Sequence, residues 1–179
     1  MIEDKVRPVV VAAVEERGYQ GVTYERVAAE SGVAKTTLYR HWPTKAELVF
    51  AMVVHGQELP SLECAPTLDA ARRALAARVA HFLGAGSAAR AIPSMLLEMA
   101  NDPVLAERLR TGLVASGRAE VEQLLDRCGL SPIEGLDAGD VQTVLLGAAQ
   151  SWFTVAGLPI GRVEERLAVL AGTLLKARS

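Results

Sequence analysis

Aromatic side chains are rare in this chain, with two tryptophans, three tyrosines and three phenylalanines among 179 residues. With alanine, leucine and arginine abundant instead, the balance favours helices over sheets. Cysteine is nearly absent too. Cys64 and Cys128 lie far apart with no metal-ligand spacing near either. They read as reduced thiols of a cytoplasmic protein, a single disulfide being the alternative. His41, His55 and His81 are the only histidines, and their spacing forms no metal site. Gly-rich phosphate loops, nucleophile elbows and paired-carboxylate motifs are missing as well, so no enzyme, catalytic residue, metal or cofactor is expected. The opening MIEDKVRPVV is charged and lacks the basic-then-apolar order of a signal peptide.

One uncharged run is long enough to raise the membrane question, VQTVLLGAAQSWFTVAGLPIG at 141–161. Gln142, Thr143, Gln150, Ser151, Thr154 and Pro159 interrupt it, so it is expected as a buried helix of a soluble assembly. Half the residues are apolar, enough for a sizeable core. The length fits one domain, or a small domain joined to a larger one.

Strong charge is missing as well: 19 Lys and Arg face 21 Asp and Glu. In residues 1–55, Lys5, Arg7, Arg17, Arg26, Lys35, Arg40 and Lys45 are balanced by Glu3, Asp4, Glu15, Glu16, Glu25, Glu30 and Glu47. The exception is VAKTTLYRHWPTK at 33–45, which has three basic residues and no acid. Any contact with nucleic acid is therefore focused there.

The surrounding pattern gives that segment a shape. Val6, Val9, Val10, Ala13 and Val14 keep helical spacing, and Gly18 fits a left-handed C-cap. Thr23 is an N-cap candidate for a short helix that Ser31-Gly32-Val33 interrupts. A second short helix, about 34–41, closes before Trp42-Pro43. Thr44-Lys45-Ala46-Glu47 is a capping box, followed by the apolar stripe Leu48, Val49, Met52 and Val53. Two short helices about a glycine turn, flanked by a helix on each side, make a helix-turn-helix.

The second short helix of that motif enters the major groove. Leu38 is its only large aliphatic residue and must face inward with Val33. Lys35, Thr36, Thr37, Tyr39, Arg40 and His41 then face mostly outward, with chemistry suited to base edges and phosphates. Lys45 sits where the N–H groups of the next helix also attract an anion. Trp42 is expected in the core, and His41 either as a phosphate donor or as a packing residue.

The stretch TYERVAAESGVAKTTLYRHWPTKAELV resembles the DNA-binding domain of the TetR family of bacterial repressors, over roughly residues 5–54. The resemblance implies an all-α chain with an N-terminal three-helix helix-turn-helix domain, 1–55, and a C-terminal helical effector-binding and dimerisation domain, 56–179. It implies a cytoplasmic homodimeric repressor of double-stranded operator DNA, released by a small-molecule effector and independent of membranes. Thr23 and Tyr24 would touch the DNA backbone, while Lys35, Thr36, Thr37, Tyr39, Arg40 and His41 would read the operator. Lys45 would grip a phosphate. Glu25, acidic beside a DNA site, either accepts from cytosine, caps its own helix or is repelled. The alternative of another class is a helical small-molecule-binding protein or enzyme whose helix-turn-helix is structural.

Beyond residue 56 the pattern predicts helices and little else. Leu68, Ala71, Leu75, Val79 and Phe82 form one inner face, and Asp102-Pro103 opens a long helix to about Arg127. Val141, Val144, Leu145, Ala148, Trp152 and Val155 form a face near 141–156, and Val163, Leu167, Leu170, Ala171 and Leu174 another near 163–177. These two helices either close the monomer core or pair with a symmetry mate as a four-helix interface, which the resemblance favours. An effector pocket is expected to have Phe82, Met95, Met99, Trp152 and Phe153 as walls. His81, Glu98, Arg118 and Gln150 would be its polar anchors. No strand is expected.

Overall fold

Capping residues set where most of the helices begin in the computed structural model, which describes residues 1–55, 59–63, 65–84 and 86–178, without the side chains of 112–116. Helix α1 (Ile2–Arg17) is followed by a single 3-10 turn at Tyr19–Gly21, then α2 (Tyr24–Ser31), α3 (Lys35–His41) and α4 (Lys45–Val49). Thr23 Oγ1 accepts from the Arg26 amide at 3.2 Å at the head of α2. At the head of α4 the capping box closes as expected: Thr44 Oγ1 accepts from the Glu47 amide at 3.2 Å, and Glu47 Oε2 accepts from the Thr44 amide at 2.9 Å. The α4 backbone then widens into a π-type turn at Phe50–Val54, where the His55 amide reaches five residues back to the Phe50 carbonyl at 2.9 Å. Gly18 has φ 65 and ψ −165, a positive-φ conformation outside the left-handed helical well expected for it.

Helix α5 (Leu68–Gly84) starts on Thr67, whose Oγ1 accepts from the Ala70 amide at 3.2 Å. Next come α6 (Ser87–Asn101) and α7 (Pro103–Cys128). Asp102 Oδ1 accepts from the Val104 and Leu105 amides, each at 3.0 Å, as the Asp-Pro signal requires. Helix α8 (Ala138–Gln150) is capped by Asp137, widens into a π-type turn at Ser151–Val155, and is followed by α9 (Ile160–Leu174).

The chain is all-α except for one small ribbon that the sequence did not predict. Strand β1 (Leu130–Pro132) pairs antiparallel with β2 (Leu175–Ala177), with Leu130 opposite Ala177 and Pro132 opposite Leu175. The expected last helix therefore ends at Leu174. Among the described residues no helix is long and apolar enough to cross a membrane. Cys64 lies outside the described residues.

The chain divides into two compact units, Met1–Glu58 with Ala85–Thr111, and Leu59–Gly84 with Gly112–Ser179. The sequence predicts one boundary after residue 55, whereas here α6 and the start of α7 group with the N-terminal helices. Helix α6 packs on α1 and buries Ala88, Ala91 and Met95 there. The core of the first unit is Val6, Val10, Ala13, Val14, Val27, Leu38, Leu48 and Val49, all inaccessible to solvent. In the second unit α5 packs along α9, with α8 against both. Leu75, Leu124, Leu145 and Leu167 are buried at its centre.

Candidate nucleic-acid interface

Seven residues are too few for a helix to stand on its own propensity, so α3 owes its geometry to its anchors. Gly32, at φ 69 and ψ 12, takes the left-handed turn that ends α2, and its amide donates to the Ala28 carbonyl at 3.1 Å. A side chain there would strain the turn by about 1 kcal/mol. Leu38 is wholly buried and Trp42 nearly so, as expected. Burying a leucine contributes about 2 kcal/mol and fixes which way α3 faces.

A second anchor was not legible in the sequence. The Tyr24 ring lies 3.9 Å, centroid to centroid, from that of Tyr39 in a near-parallel stack. Its hydroxyl donates to the Trp42 carbonyl at 2.5 Å. Burial holds the Tyr24 phenol above its ordinary pKa. Tyr24 is therefore a buried strut between α2 and the end of α3, with its hydroxyl hydrogen used inside the unit. The expected contact of Tyr24 with the DNA backbone would have to be made from this buried position. Thr23, by contrast, is exposed at the head of α2.

Opposite Leu38, Lys35, Thr36, Tyr39, Arg40 and His41 are exposed, and Thr37 is half-buried. Tyr39 keeps 44% of its surface in solvent despite the stack. Among the described residues the Arg40 guanidinium has neither an ion-pair nor a hydrogen-bond partner, so its five donors are open to a ligand. His41 lies against the Trp42 ring, 5.5 Å between centroids. Lys35 is paired: its ammonium meets the Glu25 carboxylate and lies 5.7 Å from the Tyr39 ring centroid. The hydrogen bond lowers the Glu25 pKa and raises that of Lys35.

Lys45 is arranged differently. Its Nζ donates to Gln20 Oε1 at 3.1 Å and lies 4.2 Å over the Tyr19 ring. Partial burial pulls its pKa below the ordinary lysine value. The Tyr19 hydroxyl in turn donates to Glu98 Oε2 at 2.7 Å, and burial first, then Glu98, raises its pKa. Gln20, Thr44 and Glu98 border a cleft of about 460 Å³ within this unit. Lys45 is thus a folded-back lysine held on a tyrosine. Gln20 and Tyr19 were missed by sequence reasoning because their partner lies 25 or more positions along the chain.

A short polar helix, held by a buried leucine after a left-handed glycine and followed by a capped helix, is the reading half of a helix-turn-helix. Residues 11–52 match the family model described as bacterial regulatory proteins, tetR family. Those residues belong to the tetR-family helix-turn-helix. An uncharacterized HTH-type transcriptional regulator of Mycobacterium tuberculosis is 26% identical over 162 residues, covering 89% of this chain and 75% of its own length. A counterpart in Mycobacterium bovis matches equally. The crystal structure of the TetR family transcription regulator SCO0332 superposes with a TM-score of 0.66 at 24% identity, covering 97% of this chain and 98% of that one. A TetR transcription regulator from Haloarcula marismortui gives 0.64 at 15% identity, covering 98% of each chain. These likenesses show the fold; residues 11–52 carry the helix-turn-helix DNA-binding domain of a TetR-family transcriptional regulator.

The residues expected to form an effector pocket do not gather in one unit. Met95, Glu98 and Met99 fall in the first unit, and His81, Phe82, Arg118, Gln150, Trp152 and Phe153 in the second. Met95 and Phe82 are buried core residues, while Glu98 serves Tyr19. His81 is exposed. Arg118 is exposed and paired with Glu122 at 2.8 Å and Asp137 at 3.3 Å. Met99, Trp152 and Phe153 are half-buried, with Arg166 stacked 5.7 Å from the Trp152 ring. Gln150 is half-buried, and its amide nitrogen donates to Thr154 Oγ1 while its buried amide oxygen has no partner among the described residues. Gln142, earlier on α8, has the same orphaned oxygen and packs over Gly117.

The expected apolar face of α8 also splits in two. Val141 and Leu145 are buried inside the unit, but Val144 is 39% exposed and Val155, beyond the helix, is 83% exposed. The 3.6-residue turn carries positions 141, 145 and 149 inward and positions 144, 147 and 151 outward. On α9, Val163, Leu167 and Ala171 are buried while Val169 is 64% exposed.

Proposed function

We propose that this chain is a homodimeric transcriptional repressor that reads a palindromic operator with α3 and is released by a small-molecule effector. The observation that carries the reading is the outward face of α3: Thr36, Arg40 and His41 exposed around the buried Leu38, with the Arg40 guanidinium uncommitted among the described residues. Thr23, Lys35, Thr37 and Tyr39 flank that face, and Lys45 stands at the start of the next helix. An arginine with both edges open can take guanine O6 and N7 together, which is worth about 1–3 kcal/mol of discrimination.

The homodimer is supported by the outer faces of α8 and α9. Val144 and Val169 stand exposed there, Val155 in the turn after α8 is exposed too, and Gly147 meets nothing among the described residues within 4 Å of where a side chain would begin. Small apolar residues exposed on two helices that pack together suit a second copy of the chain. Two copies present two α3 helices to successive major grooves, about 34 Å apart. Effector control is supported by the orphaned amide oxygens of Gln142 and Gln150, which a ligand's donors would satisfy. Such a ligand shifts the repressor only by binding one arrangement of the DNA heads better than the other.

The test is a gel shift on DNA enriched by the protein itself. Arg40→Ala should weaken binding by about 10- to 100-fold while size-exclusion chromatography with light scattering still reports the dimer. Unchanged affinity would remove α3 from the interface.

A further inference from the structure

Among the described residues Glu25 is the acid that an ion pair sets against the reading helix, and it does not behave as an idle surface residue. It projects from the first turn of α2 and meets the ammonium of Lys35, the first residue of α3. Position matters here more than pair strength, because exposed ion pairs are weak. A lysine at the first position of a helix faces the positive end of the helix dipole. The N-cap of α3 is Ala34, which offers no side-chain acceptor. A negative group at this point therefore has to come from outside α3, and Glu25 supplies it. Lys35 also leans toward the Tyr39 ring, and Tyr39 stacks on Tyr24, so the pair is tied to the same strut that orients α3. Arg40, by comparison, has no such partner among the described residues.

On this geometry, and resting on the DNA-binding reading above, we propose that Glu25 is a specificity-determining residue that restrains Lys35 from indiscriminate phosphate contact. A phosphate approaching Lys35 has to displace the carboxylate and meets a like charge beside it. On random DNA nothing offsets that penalty. On the operator, base contacts from the rest of α3 hold the duplex in a register that leaves the Glu25–Lys35 pair unbroken, so the penalty does not arise there. Glu25 thus weakens non-specific binding more than specific binding, which widens the gap between the two.

The experiment compares full-length wild type, Glu25→Gln, Lys35→Ala and the double variant on two duplexes, one enriched from a random library and one scrambled, across a range of salt. Glu25 is solvent-exposed, so neither substitution at this pair threatens the core. Glu25→Gln should bind scrambled DNA about three- to tenfold more tightly, with the slope of log affinity against log salt steeper by about 0.9, the increment of a single additional phosphate. Operator affinity should change by less than about twofold, so the ratio of the two falls. In the Lys35→Ala background the same substitution should produce none of this gain. Unchanged affinity and slope on scrambled DNA would overturn the proposal. So would a gain that persists without Lys35, or a loss on the operator larger than the gain on scrambled DNA. If the wild type itself enriches no DNA, the DNA-binding reading falls with it; if the wild type discriminates and Glu25→Gln matches it, only this inference falls.

Discussion

The outward faces of α3 and of α8–α9 carry different chemistry on similar supports. Each is held by a buried aliphatic row on its inner side, Leu38 for α3 and Leu145 and Leu167 for α8 and α9. Yet α3 shows solvent a lysine, an arginine, a histidine and hydroxyls and no acid, while α8–α9 set Val144, Val169 and a bare glycine among Thr143, Glu165, Arg166 and Thr173. A surface of the first kind suits a hydrated, charged partner; one of the second suits a dry, self-complementary one. The contrast also explains why the two regions read so differently from sequence. Charge in an otherwise balanced stretch stands out, whereas apolar residues on an apolar helix do not say which of them face out.

That contrast can be broken on either side. The largest effect is expected at the shared support: Leu38→Ala should destabilise the first unit by about 2–5 kcal/mol, read as a lowered urea midpoint, with DNA binding lost together with the fold. A stability near that of the wild type would mean that α3 is held elsewhere. Next comes the apolar face: Val169→Glu places a charge in the proposed strip and should raise the dimer dissociation constant at least about tenfold, measured by analytical ultracentrifugation. A dimer of undiminished affinity would move the interface away from α9. The smallest effect concerns the polar side. Thr44→Ala removes the α4 cap and should cost about 1 kcal/mol without altering operator preference, since the cap orients α4 and not the face of α3. A changed operator preference would place Thr44 in the readout.

How much was legible depends on the range of each signal. The helix starts at Thr23, Thr44, Thr67 and Asp102 were all readable, because a cap is written within three residues of the amide it serves. Leu38 and Trp42 were assignable to the core for a similar reason: α3 is short and has few apolar residues to choose from. The β1–β2 ribbon was not readable, since Pro132 and Leu175 meet only after the intervening helices have folded, and neither segment alternates. The same range limit hid the link from Tyr24 to Trp42, which makes a strut of a residue expected only as a DNA contact. It also hid the cluster of Gln20, Tyr19 and Glu98 around Lys45, and with it the place of α6 in the first unit. Glu98, expected as a pocket anchor, borders a cleft and also holds Tyr19, a partner that stands too far back in the chain to be read from the sequence.

The DNA-binding reading stands or falls on whether the exposed face of α3 reads DNA as one half of a symmetric pair. The decisive measurement is selection of bound duplexes from a random library by the full-length chain. The expected product is an inverted repeat whose half-sites are centred about one helical turn apart or a multiple of it, with that enrichment lost in Arg40→Ala. Recovery of no sequence, or of one without two-fold symmetry, would overturn the reading.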